Sequence, residues 1–317
     1  MRPQTKYRIV VLAYVVTTTL FVIRQLHLVR REMLTRRSPY PIASLPPFAR
    51  LSDKTLPPVD LIIGIPSSER KGVSYLLETL NSLIFGITSQ HLSRLRIVVM
   101  LAHDLNPRSD FVTRTLTALE EKYLPYIEQG TLHIIVPPLA WYPPNLRHIT
   151  PTLGDDPKRM YWRTKQNLDV AYLVRYSSDY GQHFLLLEDD VEAAEGYAES
   201  VMEMIDSLKE ETLIVDFTTF NIIGKLLRME DALSFSAHIL LNYNYKPIDW
   251  LFFDFIRNRV CNPDMSMTKC KDEMRKHRLA FKPSLFQHIG YVSSLDGKLQ
   301  DMTDPEYRRR RKARKQR

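Results

Sequence analysis

Between Val59 and Val136 the chain alternates apolar, β-branched stretches with stretches of helical spacing, and no other feature restricts its possible folds as much. The first, Val59-Asp60-Leu61-Ile62-Ile63-Gly64-Ile65, reads as a strand that stops at Pro66. A helix-like stretch from Lys71 to Ile84 follows, then an apolar run from Ile97 to Leu101 and a helical stretch near Asp110 to Tyr123. A short strand from His133 to Val136 closes the series at Pro137-Pro138. This order predicts a mostly parallel sheet covered by helices, because parallel neighbours need a crossover between them. The chain is therefore expected to be α/β, with ligands bound at the carboxyl ends of the strands.

The segment Arg159 to Tyr180 has helical spacing, with Leu168, Ala171, Tyr172 and Val174 to bury, and Gly181 stands where a C-cap glycine belongs. It leads into Phe184-Leu185-Leu186-Leu187, which reads as a buried central strand. That strand ends in Glu188-Asp189-Asp190. Three adjacent carboxylates repel one another, so a cation is expected to compensate them. Along a strand Glu188 and Asp190 project to one side and Asp189 to the other, so the outer pair faces one site while the middle group anchors the backbone. Hard oxygen ligands of this kind suit Mg²⁺ or Mn²⁺. The competing expectation is that Asp189 and Asp190 merely cap a helix beginning near Glu192.

The net charge of +8 raises nucleic-acid binding as a function, but the excess is terminal. Arg308 to Arg317 alone carries eight basic residues, and without it and the first 37 residues the body has 28 basic and 35 acidic groups. A nucleic-acid-binding body is therefore not expected. From Ile9 to Ile23 runs an uncharged apolar block, preceded by Arg2, Lys6 and Arg8. It predicts an uncleaved transmembrane signal-anchor behind a short tail of residues 1–8. A cleaved signal peptide is the rival, although Arg24, Gln25, Leu26 and His27 supply no small-residue cleavage site. Residues 24–58 read as a basic flank and a Pro-rich, extended stem, residues 59–307 as the globular body, and residues 308–317 as a basic disordered tail. Cys261 and Cys270 are spaced to close a small loop in an oxidising compartment; in a cytosolic protein they are expected to be free thiols.

Several segments carry a family resemblance. They are Ser74 to Ile84, Trp162 to Asp169, Leu187-Glu188-Asp189-Asp190, Ile223-Gly224-Lys225, Lys246 to Leu251, Val260 to Pro263 and Lys282 to Gly290. In this order they resemble the N-acetylglucosaminyltransferase IV family, and the apolar strand before Glu-Asp-Asp resembles the acidic metal motif of glycosyltransferases of the GT-A fold. The resemblance implies a GT-A-like nucleotide-sugar-binding fold and a UDP-GlcNAc donor. It further implies a mannose of an N-glycan or glycoprotein as acceptor, in a β1,4 linkage on the α1,3-mannose arm, with inversion. It also implies type II topology in the Golgi membrane with the body in the lumen, which supports a Cys261–Cys270 disulfide. Members of that family are expected to continue into a further carbohydrate-binding domain where this chain has its basic tail.

By the same resemblance, Asp190 and His288 are the candidate metal ligands. Pro66, Ser67 and Arg70, with Asp189, border the nucleotide, and Arg163, Lys165 and Asn167 meet phosphate, sugar or base. Each has a plainer alternative: Arg70 as a loop arginine, Arg163 and Lys165 solvated or paired with Asp169, His288 as a packed side chain. Asp249 is the candidate base that deprotonates the acceptor hydroxyl, with Asp216 and Asp264 as alternatives and Glu188 as a second catalytic carboxylate. Trp141-Tyr142-Pro143-Pro144 either stacks on sugars or fills a loop. The rival functions are a transferase-shaped binding or regulatory protein without turnover, and a polyanion binder acting through the basic tail.

Overall fold

The computed structural model describes residues 46–51, 57–220 and 222–309. The Ile9–Ile23 run and residues 310–317 lie outside them, and no helix among the described residues is long and apolar enough to cross a membrane. Strand β2 (Val59–Ser67) is buried along both faces, as its unbroken apolar sequence requires. Helix α1 (Leu76–Phe85) follows, then β3 (Leu95–Leu101), helix α2 (Asp110–Glu128) and β4 (Leu132–Val136). Strand β2 pairs in parallel with β3, and β3 with β4, so the expected crossover pattern is present. Helix α3 (Pro157–Ser177) leads to β5 (Gly181–Leu186), which adds in parallel to the free side of β2.

Beyond β5 the sheet turns antiparallel through β8 (Lys225–Arg228) to β7 (Ile214–Asp216), which pairs in parallel with β9 (Arg278–Ala280). The sheet is thus parallel over its central half and mixed at its far end. On one face, alternate residues such as Leu61, Ile63, Val99 and Ile134 pack on Leu80 and Leu83 of α1 and on Leu119 and Ile127 of α2. Helix α3 covers the other face, where a Cβ on Gly64 would lie 3.3 Å from Leu173 and 2.3 Å from Phe184. Glycine is therefore required at position 64 for close packing, not for an unusual backbone angle.

Four expectations need correction. Pro66 does not stop β2, which runs on to Ser67. Leu187 N donates to Gly64 O, the last bond across that edge, so Pro66 overhangs β5 where its missing N–H has no acceptor to meet. Gly181 is not a helix cap; it opens β5, where a side chain would lie 2.5 Å from Ile62 Cγ1. The Pro-rich stem is not all spacer, because β1 (Ala49–Leu51) pairs antiparallel with β4 and extends the sheet edge. Arg308 and Arg309, assigned above to a disordered tail, lie in a helical turn from Pro305, and Arg309 pairs with Glu306.

Helix α4 (Tyr197–Asp206) lies after β6 (Val191–Ala193), and helices α5 (Met229–Asn242), α6 (Ile248–Val260) and α7 (Met267–Lys276) complete the second half. The expected disulfide is present: Cys261, just past α6, is bonded to Cys270 in α7.

Candidate metal and donor site

At the carboxyl ends of β2 and β5 opens a cavity of about 990 Å³, bordered by Pro66, Arg70, Trp162, Glu188, Asp190 and Asp249. Its position is the one that parallel strands dictate for a ligand. The Glu188-Asp189-Asp190 segment leaves the sheet immediately after Leu187 and is fixed by Thr79, which is not among the candidate site residues named from the sequence. Thr79, buried on α1, donates its hydroxyl to Asp189 O at 2.9 Å and accepts from Val191 N at 3.0 Å. Its sequence signals are a polar residue on an otherwise apolar helix face and a place in the Ser74–Ile84 segment of the family resemblance.

Strand β6 pairs antiparallel with β10 (Phe286–His288), setting Val191 opposite His288, and Ile289 N donates to Asp190 O at 2.8 Å. This short ladder brings the histidine to the carboxylates. It also settles the capping alternative: residues 191–193 are a strand, and the next helix starts at Tyr197 behind Gly196. Ligand atoms of Glu188, Asp190 and His288 lie within 4.8 Å of one another. His288 Nε2 is 3.3 Å from Asp190 Oδ2, yet neither ring nitrogen makes a hydrogen bond, and Asp190 Oδ1 is also buried without one. A buried carboxylate oxygen and imidazole left without hydrogen bonds are costly unless something binds them. Two carboxylates and an imidazole fit a divalent cation.

Asp189 points elsewhere and has its own cation. Arg70 binds it through both terminal nitrogens, at 2.7 and 2.8 Å, and Ser67 donates to it at 2.6 Å. Arg70 also reaches Asp190 Oδ2 at 3.0 Å. Burial pushes the Glu188 carboxyl up to about 7, and the neighbouring Asp190 charge adds to the rise. Burial likewise raises Asp189, against the pull of Arg70. For His288 burial lowers the pKa, but contact with Asp190 and the charge of Glu188 outweigh it and the net shift is upward. Three neighbouring carboxylates thus share the one guanidinium of Arg70, with the His288 imidazole beside them.

The remaining sequence candidates separate. Pro66 and Arg70 border the cavity, whereas Ser67 acts only through Asp189. Glu188, the expected second catalytic carboxylate, borders the cavity and lies together with Asp190 and His288 in an arrangement that could hold a cation. Asp189 also borders the cavity, but its oxygens are engaged by Arg70 and Ser67, which makes it an anchor for the arginine. Arg163 faces no phosphate site; it is buried and paired with Asp155 and Thr152 in the loop before α3. Asn167 holds the carbonyls of Tyr243 and Lys246 at 2.8 Å and ties α3 to the turn before α6. Lys165 borders the cavity, but both Asp169 oxygens engage its amine, at 2.7 and 3.0 Å, which is the plainer alternative.

Asp249, in the first turn of α6, borders the same cavity as Glu188 and Asp190. Asp216 does not, being occupied by Lys225 and Arg278, and Asp264 is exposed outside it. Trp141 and Tyr142 are buried against Tyr172 and fill the core. Trp162 instead borders the cavity and donates to Ser294 at 3.0 Å, fixing the loop after β10.

The family model described as MGAT4 conserved region matches residues 41–307. Among curated proteins, the rat alpha-1,3-mannosyl-glycoprotein 4-beta-N-acetylglucosaminyltransferase A is 37% identical over 251 residues, 78% of this chain and 47% of the rat protein. The human enzyme B is 35% identical over 250 residues, 78% of this chain and 45% of its own length. The chain therefore spans about half the length of the curated relatives it matches. A solved structure of S. aureus TarS 1-349 in complex with UDP-GlcNAc matches 69% of this chain and 71% of that one at 11% identity and a TM-score of 0.37, too distant to support any conclusion.

Proposed function

The chain belongs to the MGAT4 family, and from that we propose that it transfers GlcNAc from UDP-GlcNAc to a mannose hydroxyl of N-glycans, with inversion, as a GT-A-like enzyme. The observation that carries the proposal is the convergence of Glu188, Asp190 and His288 beside a cavity large enough for a nucleotide-sugar. These three residues would hold the cation, and the imidazole tilts the donor set from Mg²⁺ toward Mn²⁺. When bound, such an ion supplies Lewis-acid neutralisation of the departing diphosphate.

The protein's own groups do the rest. Arg70, held by Asp189, presents a fixed positive charge at the cavity wall beside the cluster, where negative charge develops as UDP leaves. Asp249 takes the proton of the acceptor hydroxyl as that oxygen bonds to the anomeric carbon of GlcNAc. The bond from that carbon to the diphosphate oxygen breaks on the opposite face, which inverts the centre. Incubation of the full chain with UDP-GlcNAc and a mannose-terminated N-glycan is expected to give a product with β1,4-linked GlcNAc on the α1,3-mannose arm. Transfer should stop with EDTA and return with Mn²⁺. Equal transfer in EDTA, or no turnover of UDP-GlcNAc, would refute the reading.

We further propose that residues 9–23 anchor the protein in the Golgi membrane with its body in the lumen, consistent with the Cys261–Cys270 disulfide. In sealed microsomes the body should resist added protease until detergent opens the vesicle. Digestion without detergent contradicts this topology.

A further inference from the structure

Helix α6 buries Ile248, Leu251, Phe252, Phe255 and Ile256 in the core, yet Trp250 and Phe253, one turn apart on its other side, are 51% and 50% exposed. The two rings stand side by side on the helix, and a contiguous exposed apolar patch marks an interaction surface where a single exposed ring does not. Both rings border a second cavity, of about 420 Å³, whose other walls include Lys246, Asp254 and Arg278. Asp249 borders this cavity and the reaction cavity, so the two adjoin at the residue given the role of base.

We infer that the Trp250–Phe253 groove binds the glycan chain that extends from the reacting mannose. The inference rests on the transfer reading above and adds a subsite to it. The occupant follows from two features. The groove opens from the side of Asp249, where an acceptor hydroxyl must lie, so whatever fills it continues from the acceptor sugar. Its lining also mixes aromatic faces with ionic groups already in position: Lys246 is paired with Asp254, and Arg278 with Asp216. Sugars present apolar C–H faces to stack on rings and hydroxyls to bond to such fixed groups, whereas a protein partner's core contact is depleted in charge. Trp250 and Phe253 then select for a branched oligosaccharide over a single mannose.

The test compares affinities rather than rates. Binding of an N-glycan oligosaccharide and of methyl α-mannoside to the full chain with UDP and diamagnetic Mg²⁺ is followed by saturation-transfer NMR, in the wild type and in Trp250→Ala. The oligosaccharide should bind the variant about ten-fold more weakly, the scale of one lost aromatic contact, while methyl mannoside changes less than about two-fold. Trp250→Phe should recover most of the loss, because a ring face is restored. Equal weakening for both ligands, no weakening for either, or a wild type that does not bind the oligosaccharide overturns the subsite. A wild type that binds the oligosaccharide with the predicted Trp250 dependence but never transfers GlcNAc refutes the transfer reading and leaves the subsite standing. A wild type that transfers GlcNAc while Trp250→Ala keeps full oligosaccharide affinity does the reverse.

Discussion

Asp190→Asn is expected to fold, to keep its disulfide, and to lose metal-dependent UDP binding and GlcNAc transfer. The substitution keeps the size of the side chain and its capacity to hydrogen-bond, but removes the charge that faces Glu188 and His288. The local backbone does not depend on that charge: Asp190 is fixed through its carbonyl, which accepts from Ile289 N, and through the turn that Thr79 holds. Changes in groups that only support a ligand typically cost roughly 10- to 100-fold in metal affinity or activity, so loss of a direct ligand should exceed about 100-fold. Asp189→Asn should be milder toward the ion and harsher toward Arg70, since that carboxylate holds the guanidinium through two bonds. Metal titrations and UDP-GlcNAc kinetics of the two variants separate these roles.

Gly290→Ala is expected to do nearly as much damage without altering any polar group. A Cβ at this position would lie 2.1 Å from Asp190 Oδ2, 2.7 Å from Cγ and 2.9 Å from Cβ. The last contact matters most. A carboxylate oxygen rotates out of the way, but Cβ moves only with the backbone, which the β6–β10 ladder holds in register. The methyl group must therefore displace the ligand or strain the ladder. Displacement of a reacting or ligating group by about 1 Å costs on the order of 100-fold in activity, and overpacking adds roughly 1–3 kcal/mol of instability. Thermal unfolding should shift modestly while Mn²⁺ affinity falls by about two orders of magnitude. Wild-type metal affinity in this variant would show that Asp190 does not need the space that Gly290 leaves.

The sequence exposes these features unequally, for physical reasons. The β2–α1–β3–α2–β4 order is legible because each strand is buried on both faces and each helix on one, so hydrophobic period alone marks them. The acidic cluster is legible because three carboxylates after an apolar strand conflict with burial. Arg163 misleads for the opposite reason. Helix α3 is buried on several sides, so its spacing does not tell a ligand-facing cation from one paired inside the core, and the partner Asp155 lies in an irregular loop.

Asn167 is a similar case, serving carbonyls far along the chain at Tyr243 and Lys246. Strands β1 and β6 are three residues each and exist only because a distant partner, β4 or β10, supplies the other half of the ladder. The second of these ladders puts His288 beside Asp190. Family resemblance supplied that histidine as a candidate, whereas no periodicity in the sequence could.

If Glu188, Asp190 and His288 hold one divalent ion, as proposed, Mn²⁺ reports on it directly. Electron paramagnetic resonance of the full chain with one equivalent of Mn²⁺ and UDP should show a bound ion whose pulsed spectrum carries coupling to an imidazole nitrogen. That coupling should vanish in His288→Ala, and Asp190→Asn should leave the Mn²⁺ mostly free. Bound Mn²⁺ without nitrogen coupling, or an Asp190→Asn protein that binds the ion as the wild type does, would contradict the assignment.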